Sequence, residues 1–335
     1  MPALRALRRW ADTTHPGAGV VLACPRSLAP LVELAEVELS TGRRPVADRL
    51  LDLEAKDAAG LAALSDAWRS SAAEPPLVAV NLHGSGPASH RALAALAPGR
   101  LVAVACAEAG VAGPPWQPPR RPQEHETVRW CRVVVSALGV QADPRDLLLG
   151  PPRGAPPVTG AVVVHPGAAY PSRRWPPDRW AAVAREAARA GHPVVVTGSG
   201  EERALAEQVR RLAGLPPEAV LAGRTDLAEL AALAAAARLV ACGDTGMAHL
   251  ASAYRTPSVV LFGPTSPRRW GPPRTGPHTV LWRGDGAGDA SGLVPDPALL
   301  ALTVDDVLAA VAERLDRGRT GSLSGCGSRT TPASA

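Results

Sequence analysis

Cys242-Gly243-Asp244-Thr245-Gly246-Met247-Ala248-His249-Leu250 is the stretch whose reading decides the fold. A short apolar run, Arg238 to Ala241, precedes it and reads as a buried strand. Met247 to Tyr254 reads as a helix, and Pro257 leads into a further strand, Ser258 to Phe262. The stretch is therefore a strand-to-helix turn at the carboxyl edge of a parallel sheet, where open α/β folds take their ligands. Asp244 is expected at the N-cap, with Gly246 in the first turn. Free backbone N–H groups and the positive end of the helix dipole then point into the crevice. Gly246 has no Cβ, so an anion can approach its backbone closely. Thr245 and His249 are four apart and share a helix face. A hydroxyl, bare N–H groups and an imidazole converging on one spot suit a diphosphate. Taken alone, Asp-Thr-Gly is also an ordinary helix start, and His249 an ordinary core histidine.

Outward from this stretch, strands and helices alternate, which implies βαβ units. In the first half, helices are expected at Pro2–Trp10, Leu28–Ala35, Ala58–Trp68, Ala88–Leu96 and 123–138, the last after a Pro-rich loop, 113–122. Strands are expected at Val20–Ala23, Leu77–Asn81 and Leu101–Ala105. The second half gives strands at Ala161–Val164, Pro193–Thr197 and Ala219–Leu221. Its helices are expected at Pro177–Ala190, Glu201–Ala213, Leu227–Ala236 and Val304–Arg314. Gly150 to Pro157 has the composition of an interdomain linker. The organisation expected is a first domain over 1–150, a linker over 151–158, a second domain over 159–317 and a disordered tail over 318–335.

Composition narrows the function. The 335 residues are 46% hydrophobic and only 3% aromatic, so the core is mostly Ala, Leu and Val. Lys56 is the single lysine; arginine carries the positive charge. A net charge of +5 and an isoelectric point near 9.3 are compatible with anionic substrates and with peripheral contact at the inner membrane surface. They are too diffuse to indicate nucleic acid. The five cysteines are scattered, with no CxxC pair, which points to a reducing, cytoplasmic setting and no zinc site. No signal peptide and no bilayer-spanning run stand out.

Three loops of the second half fall at carboxyl ends of strands, so all three are expected around one crevice. The first, His165 to Pro176, offers Arg173 and Arg174, either of which can grip a phosphate through two parallel hydrogen bonds. The second, Gly198-Ser199-Gly200-Glu201-Glu202-Arg203, offers Glu201 to a ribose diol. The third is the Asp244–His249 turn. Each residue has a plainer reading, as a solvated loop charge or as helix-start stabilisation; three such loops at equivalent positions favour a site.

In sequence order, these loops with Gly-Arg-Thr-Asp-Leu at 223–227 and Leu-Phe-Gly-Pro-Thr at 261–265 resemble glycosyltransferase family 9, the bacterial ADP-heptose:lipopolysaccharide heptosyltransferases. The likeness is close from about 161 to 271. It is looser at Pro2–Arg8 and at Asn81-Leu82-His83-Gly84-Ser85-Gly86. The resemblance implies a GT-B architecture, two Rossmann-like domains with parallel sheets facing a central cleft. It implies inverting transfer from a nucleotide-diphosphate-sugar, ADP-heptose for the family, to a glycan, lipid-linked or small-molecule acceptor. No metal and no cofactor are expected. Residue by residue, Arg173 falls where the family often has a phosphate-binding lysine. Glu201 matches the ribose-binding acid, with Glu202 its neighbour and rival, and Thr245, Gly246 and His249 match the diphosphate loop.

The first half departs from the family pattern. The family opens with a strand and a Gly-rich loop ending in an Asp that serves as general base. Here Met1-Pro2 stands where that loop should end, and a start upstream of Met1 is the expectation. Within this sequence the general base is unassigned, and His83 is the one candidate. The alternative reading is a nucleotide-sugar binding protein of the same fold that lacks transfer. A dehydrogenase is disfavoured, because no GxGxxG follows a first strand.

Overall fold

The computed structural model describes residues 1–40, 42–53, 58–71, 74–84, 86–111, 121 and 123–323. The chain divides into two compact units, Met1–Pro152 and the residues from Arg153 onward. The first unit runs α1 (Pro2–Thr14), β1 (Val21–Cys24), α2 (Ala29–Glu33), β2 (Glu36–Leu39), β3 (Gly42–Pro45), β4 (Arg49–Asp52), α3 (Ala58–Arg69), β5 (Val78–Val80), α4 (Pro87–Ala94), β6 (Arg100–Val102) and α5 (Glu126–Leu138). The second runs β7 (Val162–His165), α6 (Pro177–Arg189), β8 (Val194–Val196), α7 (Arg203–Ala213), α8 (Leu227–Ala236), β9 (Leu239–Gly243), α9 (Gly246–Ala253), β10 (Ser258–Phe262), α10 (Pro267–Trp270), β11 (His278–Trp282), α11 (Pro297–Leu300) and α12 (Val304–Leu323).

In the first unit, β1 pairs with β4 and β5 with β6, both in parallel. Helix α1 packs against both pairs. Its Met1 and Leu4 lie with Leu22 and Cys24. Its Ala3, Ala6 and Leu7 lie with Val80 and Leu82, under Cys131 and Val134 of α5. Between β1 and β4 sits an antiparallel hairpin, β2–β3, absent from the sequence reading. Arg8 is fully buried yet paired: it donates to Asp12 at 2.6 and 2.8 Å and also to Asp48. The expected loop over 113–122 and Ser85 lie outside the described residues, apart from Arg121.

The second unit holds one parallel sheet in the order β11-β10-β9-β7-β8. Its runs Val162–Val164, Val194–Val196, Leu239–Cys242 and Ser258–Phe262 are buried throughout. Strands covered on both faces by crossover helices read as continuous apolar runs, which is why these were legible. Ala219–Leu221, expected as a strand, forms only a single parallel bridge, Val220 to Val196. The preceding Pro217–Ala219 is a 3₁₀ turn that leaves too little extended chain for a ladder. That bridge still occupies a strand's place beside β8. Numbered within the unit, the order becomes 3-2-1-4-5-6, and the order reverses between β7 and β9.

Local signals fix the helices. Helix α8 opens on a capping box in which Asp226 accepts from Glu229 N while Glu229 accepts from Asp226 N. Trp175 and Trp180 are each 1% exposed and meet edge to face at 5.1 Å. Such a pair contributes roughly 0.5–1.5 kcal/mol beyond its buried area. Helix α12 continues through Leu323, so the first residues of the expected 318–335 tail are helical, and 324–335 lie outside the described residues. Among the described residues no helix is long and apolar enough to cross a membrane.

Trp180→Ala should lower the unfolding free energy by about 3–5 kcal/mol, the usual cost of emptying an aromatic site in a packed core. Denaturant unfolding followed by far-UV circular dichroism measures it.

Candidate functional site

The switch point between β7 and β9 brings two of the predicted loops together. After β7 the chain runs through His165-Pro166-Gly167 to a 3₁₀ turn, Pro171–Arg173. After β9 it runs through Asp244 and Thr245 into α9. The two loops touch: a Cβ on Gly243 would lie 3.3 Å from the Arg173 carbonyl. The β7 loop is also held from behind, since Ser172 N donates to Gly292 O and Asp296 N donates to Ser172 O.

Asp244 is not the helix cap. Thr245 takes that position with an extended backbone, φ −144° and ψ 175°, and α9 begins at Gly246. The strand runs two residues further than the apolar pattern suggested, through Gly243, and the helix cap falls one residue later than expected. The consequence for α9 is favourable to an anion. No side chain caps its first turn, so its leading N–H groups stay open. Thr245 is partly exposed, and Gly246 and His249 are exposed on the same face; Met247 is 1% exposed and belongs to the core.

Asp244 is buried beside these donors, at 8% exposure. Burial pushes its carboxyl up to about 6, with the Arg173 guanidinium pulling the other way. Arg173 Nη1 donates to the Asp244 carbonyl oxygen at 3.4 Å. Arg173 Nε and Ser172 Oγ are buried and have no hydrogen-bond partner among the described residues. A desolvated guanidinium N–H without an acceptor is costly, and a bound oxyanion removes the cost. Arg174 is spent differently: its Nε donates to Ala168 O at 2.9 Å and shapes the loop. The two adjacent arginines therefore divide into one whose Nε has no acceptor among the described residues and one that holds the loop.

In the predicted loop after β8 the two adjacent acids are placed differently. Glu201 is exposed at the turn. Glu202 is folded inward: its carboxylate accepts from Ser199 N at 2.8 Å. It lies so close over Gly167 that a Cβ there would collide with it. A side chain at 167 would therefore displace the Glu202 carboxylate from this position. Glu202 also faces His165, whose imidazole is lowered by burial and raised by that carboxylate, burial prevailing. His165 Nδ1 meets Thr197 Oγ1 at 3.0 Å. The helix phase decides this. Glu202 is the N-cap residue of α7 and Glu201 precedes it.

His83 lies in the first unit, in the turn after β5. Its main-chain N donates to Asn81 Oδ1 at 2.8 Å, and its carbonyl accepts from Ser89 Oγ at 3.1 Å. Its side chain is exposed, and no acid orients it among the described residues. The buried histidine next to that turn is His90 of α4, with Nε2 2.7 Å from Val104 O. Trp175 belongs to the core, its indole N–H donating to Leu302 O at 3.1 Å. One aromatic went unnoticed in the sequence: Trp270, 37% exposed, whose ring centroid is 6.3 Å from that of His249.

By fold, the chain is a GT-B type α/β protein. It aligns with the solved family 9 glycosyl transferase of Veillonella parvula at a TM-score of 0.71 and 18% identity, over 94% of this chain and 93% of that one. It aligns with the solved ADP-heptose lps heptosyltransferase II of Escherichia coli at 0.66 and 19% identity, over 95% and 96%. In sequence, residues 122–285 match the model of glycosyltransferase family 9 (heptosyltransferase). The lipooligosaccharide heptosyltransferase 2 of Haemophilus influenzae is 34% identical over 122 residues, 35% of this chain and 34% of that protein. The chain thus spans about a third of the length of that curated relative in sequence.

The Asp244 carboxyl has a folded pKa above its ordinary 3.8. Its contribution to stability is full below about pH 4 and is lost as pH rises through about 6, to a limit near 3 kcal/mol. Thermal midpoints measured between pH 4 and 8 should therefore fall less for Asp244→Asn than for the wild type.

Proposed function

We propose that this protein is an inverting glycosyltransferase that moves a heptose or related sugar from an ADP-sugar to a glycan, lipid-linked or small-molecule acceptor. The observation that carries the reading is the open start of α9 beside the buried, unpartnered Nε of Arg173. A nucleoside diphosphate fits both: its oxygens meet the α9 N–H groups and the guanidinium together. The name of the Escherichia coli relative of the same fold supports an ADP-sugar.

The chemistry follows from that placement. The sugar's anomeric carbon–oxygen bond breaks and the diphosphate leaves with the electron pair. Charge builds on the departing oxygen, and donors already aimed at it lower the barrier. Arg173, the α9 N–H groups and the helix dipole are such donors. This lets the leaving group depart without a metal ion. The acceptor hydroxyl attacks from the opposite face of the sugar and passes its proton to a general base that is unassigned among the described residues, and the displacement inverts the anomeric centre. Glu202, held against the β7 loop, accepts from the ribose hydroxyls and sets the nucleoside end of the donor. The buried Asp244 stands at the diphosphate end, where it orients a sugar hydroxyl or pins the loop. The positive net charge is compatible with work at the cytoplasmic face of the inner membrane.

Calorimetric titration with ADP, and with GDP and UDP as controls, tests the reading. ADP should bind, and Arg173→Ala should weaken it by about ten- to a hundredfold, the usual loss for a charge-assisted hydrogen bond. Equal affinity in both proteins removes Arg173 from the site; no nucleotide binding by a folded wild type removes the diphosphate reading itself.

The two acids separate in the same assay. Glu202→Gln should weaken ADP severalfold, whereas Glu201→Gln should match the wild type. The reverse pattern would return the ribose contact to Glu201.

A further inference from the structure

We propose that Trp270 is the platform on which the donor's sugar lies, and so a residue that selects which sugar the site accepts. The inference rests on reading the crevice as a diphosphate-sugar site.

The order of loops along the sheet carries the first part of the argument. Reading across β8, β7, β9 and β10, the carboxyl ends present Glu202, then Arg173, then the open start of α9, then the segment from Gly263 to Gly271. A nucleotide-sugar is itself linear: nucleoside, diphosphate, sugar. With the ribose at Glu202 and the diphosphate between Arg173 and α9, the sugar reaches the β10 segment. That segment presents Trp270 to α9, its ring 6.3 Å from His249 and tilted 55° to it.

The state of the side chain carries the second part. The other two tryptophans of this unit's core, Trp175 and Trp180, are each 1% exposed. Trp270 is left 37% open next to the exposed, polar face of α9. It is also held firmly. Pro264, Pro267, Pro272 and Pro273 restrict the backbone around it. Ser266 Oγ accepts from Arg268 N at 3.3 Å, and Gly271 N closes the turn on Pro267 O at 2.8 Å. A fixed, half-open indole is preorganised for a ligand, because little side-chain freedom is lost on contact.

The chemistry fits a sugar. An indole face is negative and attracts the polarised C–H groups of a pyranose ring, while His249 at its side suits the hydroxyls on the ring's rim. In this arrangement Trp270 stands beyond the diphosphate, at the sugar. Trp270 should therefore discriminate between the nucleotide and the nucleotide-sugar.

The test compares the wild type, Trp270→Ala and Trp270→Phe in titrations with ADP and with ADP-heptose, with thermal melting as the check of folding. Trp270→Ala should bind ADP within twofold of the wild type and ADP-heptose about tenfold more weakly, a difference near 1.4 kcal/mol. Trp270→Phe should keep most of the affinity for ADP-heptose. Unchanged ADP-heptose binding by Trp270→Ala overturns the proposal, as does an equal loss for both ligands. A well-folded wild type that binds neither overturns the diphosphate reading, and this proposal with it.

Discussion

A parallel sheet buried on both faces can place polarity only at its ends. Strands β7, β9 and β10 have almost no exposed residue along their length, so every group able to meet a charged ligand is displaced into the loops that leave them. The fold then decides which loops meet. With the order reversing between β7 and β9, the two crossovers leave in opposite directions and the loops between them stand open. Arg173 arrives on one loop and the α9 start on the other, and main-chain bonds to Gly292 and from Asp296 hold the first in place. The binding chemistry is thus imposed by the topology before any side chain is chosen.

What that topology left open, individual residues settle by burial. Arg173 and Arg174 are adjacent and identical in chemistry, yet one spends its Nε on the Ala168 carbonyl and the other leaves it without an acceptor. Asp244 keeps a buried carboxyl next to the uncapped start of α9, and its raised pKa records the cost of that burial. A structure that needed only to be stable would avoid both. Buried polar groups lacking partners are rare in native proteins, and here two of them, Ser172 Oγ and Arg173 Nε, come from adjacent residues of one loop.

The sequence showed this arrangement where its signals were local and strong. Leu227–Ala236 was legible to the residue because Asp226 and Glu229 form a capping box, and Ser258–Phe262 because an apolar β-branched run lies between a proline and a glycine. The hairpin β2–β3 was missed because Glu36, Glu38, Arg43 and Arg44 give its strands a solvated character, while Val37 is buried. β11 was hidden among Pro277 and the prolines before it. In the site, residue types were legible but orientation was not. Two further residues of strand came with a helix cap one residue later, at Thr245 and not Asp244. One step of helix phase moved the inward acid from Glu201 to Glu202. Trp270 carried no motif; only its nearness to His249 reveals it.

The contact of Glu202 with Gly167 has a consequence for how this site can change over time. The carboxylate belongs to one βα loop and its landing place to another, thirty-odd residues earlier in the chain. A side chain at 167 obliges the Glu202 carboxylate to swing away, and a shorter residue at 202 leaves room over 167. A change at either position is therefore felt at the other, and lineages that altered one of these loops should differ at the other as well.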